Sequence, residues 1–318
     1  MQPLRGPAGD ATLAGTIAPV TGEGNRPRHR AAPTGTAAAG PVPAQRGWHW
    51  AEWSSEFAGT ALLLLGGLSA VCLDFGSNSP MIKVVPDHSA RLLITGLLFA
   101  GSGSLVAVTP LGRRSGAHLN PCVTLAFWRR GHVHPHDLAG YTAAQVAGAF
   151  AGTALVQWWW GGQARSVDLG VTHPRAGLPA MGAAGVEAVM TAALVLIILV
   201  MVSTRRTARF APLAVWIVVA VLVWQGAPWT GTSLNPARSL APAVLSMDFG
   251  DLWVYFVGPL AGSLAAVEVF NLIPGLETLT AKLYYDWRYP STLASVLPVA
   301  RKPSSSGVQP VKQAPRAT

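Results

Sequence analysis

Charge is scarce in this chain. Of 318 residues only 12% are Asp, Glu, Lys or Arg, while 50% are hydrophobic; soluble domains carry about 25% charge. That balance excludes an ordinary water-soluble fold and implies a membrane protein. Acid is scarcer than base, 14 against 23, and no acidic ring of the kind that passes cations is evident. Cysteine is nearly absent: Cys72 and Cys122 allow one conceivable pair but no disulfide framework, and neither belongs to a zinc-type cluster. The HExxH, GxSxG and P-loop motifs are missing, which argues against a membrane-embedded enzyme and gives no reason to expect a metal or cofactor. Residues 1–47 lack any apolar run and are rich in Ala, Gly, Pro and Arg. They read as a disordered cytoplasmic tail and not as a cleavable signal peptide. Residues 276–318 read as a second cytoplasmic tail.

The apolar residues that are present fall in six stretches, at about 56–73, 91–111, 138–160, 185–203, 210–225 and 252–273. A bilayer core of about 30 Å needs roughly 20 helical residues, so each is a candidate span. With both termini cytoplasmic, only Lys83, Arg91, Arg165, Arg175 and Arg238 of the 23 Lys and Arg fall on the far side. That asymmetry is what the positive-inside rule predicts. The net charge of +9 is therefore a topology signal, and no nucleic-acid partner is expected. A multi-pass protein of the cell (inner or plasma) membrane follows, with a channel domain over 48–275.

The chain also repeats itself. Ser115-Gly116-Ala117-His118-Leu119-Asn120-Pro121 matches Thr230-Gly231-Thr232-Ser233-Leu234-Asn235-Pro236 at Gly, Leu, Asn and Pro, with a constant offset of 115. The half-repeats run over about 50–161 and 182–273, with three spans each. Three is odd, so the second half is inverted relative to the first, with its site at the repeat interface near mid-membrane. Asn is a strong N-cap and Pro is favoured at the first helical position, so each pair starts a helix. The apolar run that follows is half a bilayer long. Two such half-helices meet N-terminus to N-terminus, presenting unpaired N–H groups and about half a positive charge each. Each Asn, its oxygen engaged in capping, can aim its NH₂ at the lumen. The candidate pore motifs are Asn120, Pro121, Cys122 and Asn235, Pro236, Ala237. Cys122 reads as a small, inert buried thiol.

Glu56 and Glu187 open the two halves, where an ionisable group in a span calls for an internal partner. Each is expected to accept N–H groups from the loop ahead of a half-helix, and His118 to order the first loop. Arg238 stands in the first turn of a helix whose dipole disfavours cations; beside the lumen it repels cations and donates to solute oxygens. Glu268 lacks a repeat mate and reads as a snorkelling side chain. His132, His134 and His136 read as a solvated basic loop in preference to a metal or pH gate. Trp48, Trp50, Trp53 and Trp158 to Trp160 suit interfacial belts. The GxxxG spacings at Gly148 to Gly152 and Gly258 to Gly262 suit helix packing.

At these residues the chain resembles a known family. SGAHLNPCVT and TGTSLNPARS resemble the paired signatures of the aquaporin, or major intrinsic protein, family, and Glu56, Gln145, Glu187, Gly258, Pro259 and Gly262 fall where its spans carry similar residues. The resemblance implies an all-α membrane fold of six transmembrane helices and two re-entrant half-helices in a right-handed bundle. It implies a homotetramer in the lipid bilayer with one pore per subunit. It also places a constriction at Ala100, Val223, Thr232 and Arg238, with Phe99 one residue from the first position. Ala, Val and Thr with Arg are wider and less polar than a water-only filter. The expected function is a passive channel for water or small uncharged solutes such as glycerol, urea and undissociated metalloid acids. A closed-pore structural or adhesion protein is the rival from another class.

Overall fold

The computed structural model describes residues 47–284; the expected tail 1–47, except Gly47, and the part of 276–318 beyond Tyr284 lie outside the described residues. Eight helices build the body: α1 Trp50–Phe75, α2 His88–Val108, α3 Pro121–Arg129, α4 Pro135–Trp160, α5 Ala180–Met201, α6 Ala211–Thr230, α7 Pro236–Leu245 and α8 Val254–Asn271. No strand occurs among the described residues. Five helices (α1, α2, α5, α6 and α8) are long and apolar enough to cross a membrane. The sixth expected span, α4, has 26 residues and at 1.5 Å each is about 39 Å long. It is less apolar because it carries Asp137 and Gln145, both fully buried and both used as hydrogen-bond anchors.

Local chemistry sets the helix starts. Asp87 caps α2 by accepting from the Ala90 amide at 2.6 Å, and Pro stands in the first turn of α3, α4, α6 and α7, where its missing N–H costs nothing. The half-helices α3 and α7 have 9 and 10 residues, so end to end they span about 28 Å, roughly one bilayer core.

Packing follows the repeat. α1 lies along α4 in the first half as α5 lies along α8 in the second, and α2 and α6 pair across the two halves. The half-helices are exchanged: α3 packs on α8, and α7 packs on α4. The GxxxG spacings serve the close pairs. A Cβ on Gly258 would stand 2.6 Å from the Ala184 carbonyl oxygen and 2.9 Å from Glu187 Cβ, a distance only glycine allows.

Several peripheral expectations change. Trp48, Trp50, Trp158 and Trp159 are exposed, but Trp53 is buried and donates from its indole to Asp137 at 2.9 Å. His134 is buried as well, its ring stacked on His136 at 5.1 Å, so this stretch is not simply a solvated loop. His49 Nδ1 lies 2.8 Å from an Asp137 oxygen; since a carboxylate only accepts, the nitrogen donates. Asp137 thereby staples the start of α1 to the start of α4. Glu268 pairs with Arg129 at 2.8 Å, both at least half exposed, a contact worth little. The tail does not simply leave the body after α8: residues 278 and 280–283 are buried.

Candidate functional site

Each half-helix is preceded by a loop that cannot supply its own hydrogen bonds. Ala117 and Leu119 take φ of 54° and 51°, and their repeat mates Thr232 and Leu234 take 51° and 58°. Left-handed conformations cost non-glycine residues about 1–2 kcal/mol each, so something must hold both loops. The glutamates do. Glu56 accepts from the amides of His118 at 3.0 Å and Leu119 at 2.7 Å. Glu187 accepts from the amides of Ser233 and Leu234, both at 2.9 Å, and from the Thr230 hydroxyl at 2.7 Å. Gln145 donates to Glu56 at 2.7 Å and to Thr124 at 3.0 Å.

Two further braces escaped the sequence reading. The Tyr141 hydroxyl donates to the Ser115 carbonyl at 2.7 Å, and the Tyr255 hydroxyl to the Thr230 carbonyl at 2.8 Å. Ser115 and Thr230 are repeat mates. A tyrosine about 20 residues after each Asn-Pro was a legible signal, masked by a one-residue difference in register.

The half-helices meet through their asparagines. Asn120 Oδ1 accepts from the Cys122 amide at 2.8 Å, and Asn235 Oδ1 from Ala237 at 3.0 Å and Arg238 at 3.4 Å. Each NH₂ also donates to the opposite loop: Asn120 to the Leu234 carbonyl at 2.8 Å and Asn235 to the Leu119 carbonyl at 2.9 Å. This corrects the expectation that the whole NH₂ faces the lumen, because one of its two donors is spent locking the halves together. Both asparagines still line a cavity of about 100 Å³. Cys122 is fully buried and off that wall, and its carbonyl accepts from Ser263 at 2.7 Å.

Arg238 lies at the same cavity, donating from its guanidinium to the Gly170 carbonyl at 2.7 Å and stacked over the Phe99 ring at 5.3 Å. Phe99 and Ala100 both line this cavity. Thr232 turns its hydroxyl to the Leu222 carbonyl at 3.2 Å, and Val223 lies over Gly96.

The arrangement has a definite electrostatic character. Two helix N-termini, each carrying about half a positive charge, converge on one cavity. A monovalent cation about 5 Å from both meets a barrier of about 3 kcal/mol at an effective dielectric near 20, before Arg238 is counted. A neutral molecule with an oxygen acceptor meets none. Exclusion of protons and cations by half-helix dipoles and an arginine is the established account of aquaporin-type pores, and its parts are all present here.

Leu283, from the segment after α8, also lines this cavity. His118 Nε2 bonds the Ala281 carbonyl at 2.8 Å, which fixes that nitrogen as the donor.

The family profile described as Major intrinsic protein matches residues 44–270. Aquaporin-2 of Rattus norvegicus is 35% identical over 233 residues, covering 72% of this chain and 81% of the relative. Aquaporin A of Dictyostelium discoideum is 32% identical, over 73% and 80%, and the lens fiber major intrinsic protein of Gallus gallus 33%, over 70% and 81%. Among solved structures, the aquaglyceroporin from Plasmodium falciparum superposes with a TM-score of 0.58 at 22% identity, covering 70% of this chain and 96% of that one. The fold is thus shared with a solved member, and the sequence match at this identity and coverage makes the chain a member of the major intrinsic protein family.

Proposed function

We propose that the chain is a passive transmembrane channel for water and small uncharged solutes that rejects protons and ions. One observation carries the reading: the reciprocal Asn120 and Asn235 bonds hold two helix N-termini against a single narrow cavity. No side chain there is arranged for bond-making chemistry, and a polar neutral molecule is the species such a site favours. We place the constriction at Phe99, Ala100 and Arg238, which share the cavity, with Val223 and Thr232 as its further expected members. An aromatic ring beside the guanidinium narrows the opening, which favours water over solutes the size of glycerol.

The face bearing Arg113, Arg114, Arg129, Arg130, Arg205 and Arg206 is the cytoplasmic one, by the positive-inside rule. A homotetramer in a cell membrane accords with the exposed apolar side chains of the spans, Leu62, Leu105, Ile217 and Val221 among them. Stopped-flow light scattering of proteoliposomes tests the reading, with an impermeant osmolyte set against glycerol, urea and boric acid. Shrinkage faster than that of empty vesicles, with slow reswelling in glycerol, is expected. Rapid glycerol entry would return Val223 and Thr232 to a wider filter.

A further inference from the structure

The geometry points to residues 278–283 as a plug that docks into the basic-face mouth of the pore and closes it. The proposal rests on the channel reading above, since a plug needs a path to close. The segment is held at several points by the body. The Leu279 amide donates to the Val202 carbonyl at 3.2 Å and the Leu283 amide to the Gly116 carbonyl at 3.0 Å. Between them the Ala281 carbonyl takes the His118 ring proton, and Lys282 Nζ donates to the Arg113 carbonyl at 2.7 Å. Arg130 Nε donates to the Thr278 hydroxyl at 3.2 Å. Thr278, Thr280, Ala281, Lys282 and Leu283 are buried, whereas Leu279 is 49% exposed.

What separates a plug from a mere packed tail is where Leu283 ends. It forms part of the wall of the same cavity that Asn120, Asn235 and Arg238 line. The site also reads as a fitted one. Gly116, at φ +101°, would place any Cβ against the Ala281 carbonyl oxygen. Its repeat mate Gly231, at φ +75°, faces Thr172 and His173, next to the segment whose Gly170 carbonyl holds Arg238. The tail segment thus occupies, at one mouth, the position that residues 170–173 take at the other. The difference is that it brings an apolar side chain to the cavity.

Three proteins are compared in proteoliposomes: the full chain, full-length Leu283→Ser, and a chain ending at Gly275. Water permeability per reconstituted subunit is expected to rise at least about tenfold in both variants, equivalent to an occupancy bias of about 1.4 kcal/mol. Equal permeability in all three overturns the proposal. In parallel, full-length Leu283→Cys and Leu279→Cys are labelled with a water-soluble thiol reagent, the native Cys72 and Cys122 being buried. Leu283→Cys is expected to be protected and Leu279→Cys to react quickly; equal rates also overturn the plug. If the shortened chain passes no water while Leu283→Cys stays protected, the segment docks but there is no flow to close. In that case the channel reading fails, and closure fails with it.

Discussion

Replacing Glu187 separates the brace from everything else in the second loop. Glu187→Ala leaves the Ser233 and Leu234 amides buried without an acceptor; the Thr230 hydroxyl can rotate to another. A buried unpaired donor costs about 1–3 kcal/mol, so the loss is about 2–6 kcal/mol. Glu187→Gln keeps the shape and one acceptor oxygen, and turns an NH₂ toward one of the two amides, so its cost is about 1–3 kcal/mol. The left-handed residues Thr232 and Leu234 store about 2–4 kcal/mol together, comparable with the brace. Without Glu187 the loop therefore relaxes, and Asn235 loses its place opposite Leu119. The assay is thermal unfolding in detergent, followed by the reaction of the buried Cys72 and Cys122 thiols with a fluorogenic reagent, beside water permeability in liposomes. Wild type is expected to unfold last, then Gln, then Ala, with permeability falling in the same order. An Ala variant as stable and permeable as wild type, or a Gln variant no better than Ala, would refute the reasoning.

Arg238→Val removes the charge at the constriction; a guanidinium about 5 Å from a cation contributes about 3 kcal/mol at an effective dielectric near 20, so cation and proton leak, read with an internal pH dye, is expected to rise about 100-fold while water still passes. Gly258→Ala forces a methyl between α8 and α5 and is expected to cost about 1–3 kcal/mol in thermal stability, with no comparable loss for alanine at Gly185, where a Cβ meets open space. His132 has its pKa pushed down to about 4, first by burial and then by Arg130. The folded chain therefore refuses a proton that the unfolded chain accepts below its ordinary value of about 6.5. Stability is fully present above that value and declines as pH falls toward 4; His132→Phe is expected to flatten that decline in melts taken at successive pH values.

The fold was legible because its signals are local or repeated. Asn-Pro caps, half-length apolar runs and an odd number of spans per half need no knowledge of packing, and the glutamates follow from the cost of an unpartnered carboxylate in a span. The rest depends on rotation and return. Whether Phe99 or Ala100 faces the lumen is a matter of a fraction of a helical turn, which spacing does not carry. Trp53 looked interfacial because an indole suits both headgroups and a buried carboxylate partner, and only contact with Asp137 decides between them. Residues 276–284 carry too little apolar periodicity to announce a docked segment. Their hold on the body comes from backbone carbonyls of Gly116, Val202 and Arg113, which are invisible in any sequence.

The most direct test of the pore itself measures water and proton flux in the same vesicles. Full-length protein and the chain ending at Gly275 are reconstituted with an entrapped pH dye and challenged with an osmotic step and then a pH step. Water flow well above that of empty vesicles in the shortened chain, with proton flux no greater than in empty vesicles, is the predicted result. Proton flux rising together with water flow, or no water flow in either protein, would contradict a pore guarded by two half-helix N-termini and Arg238.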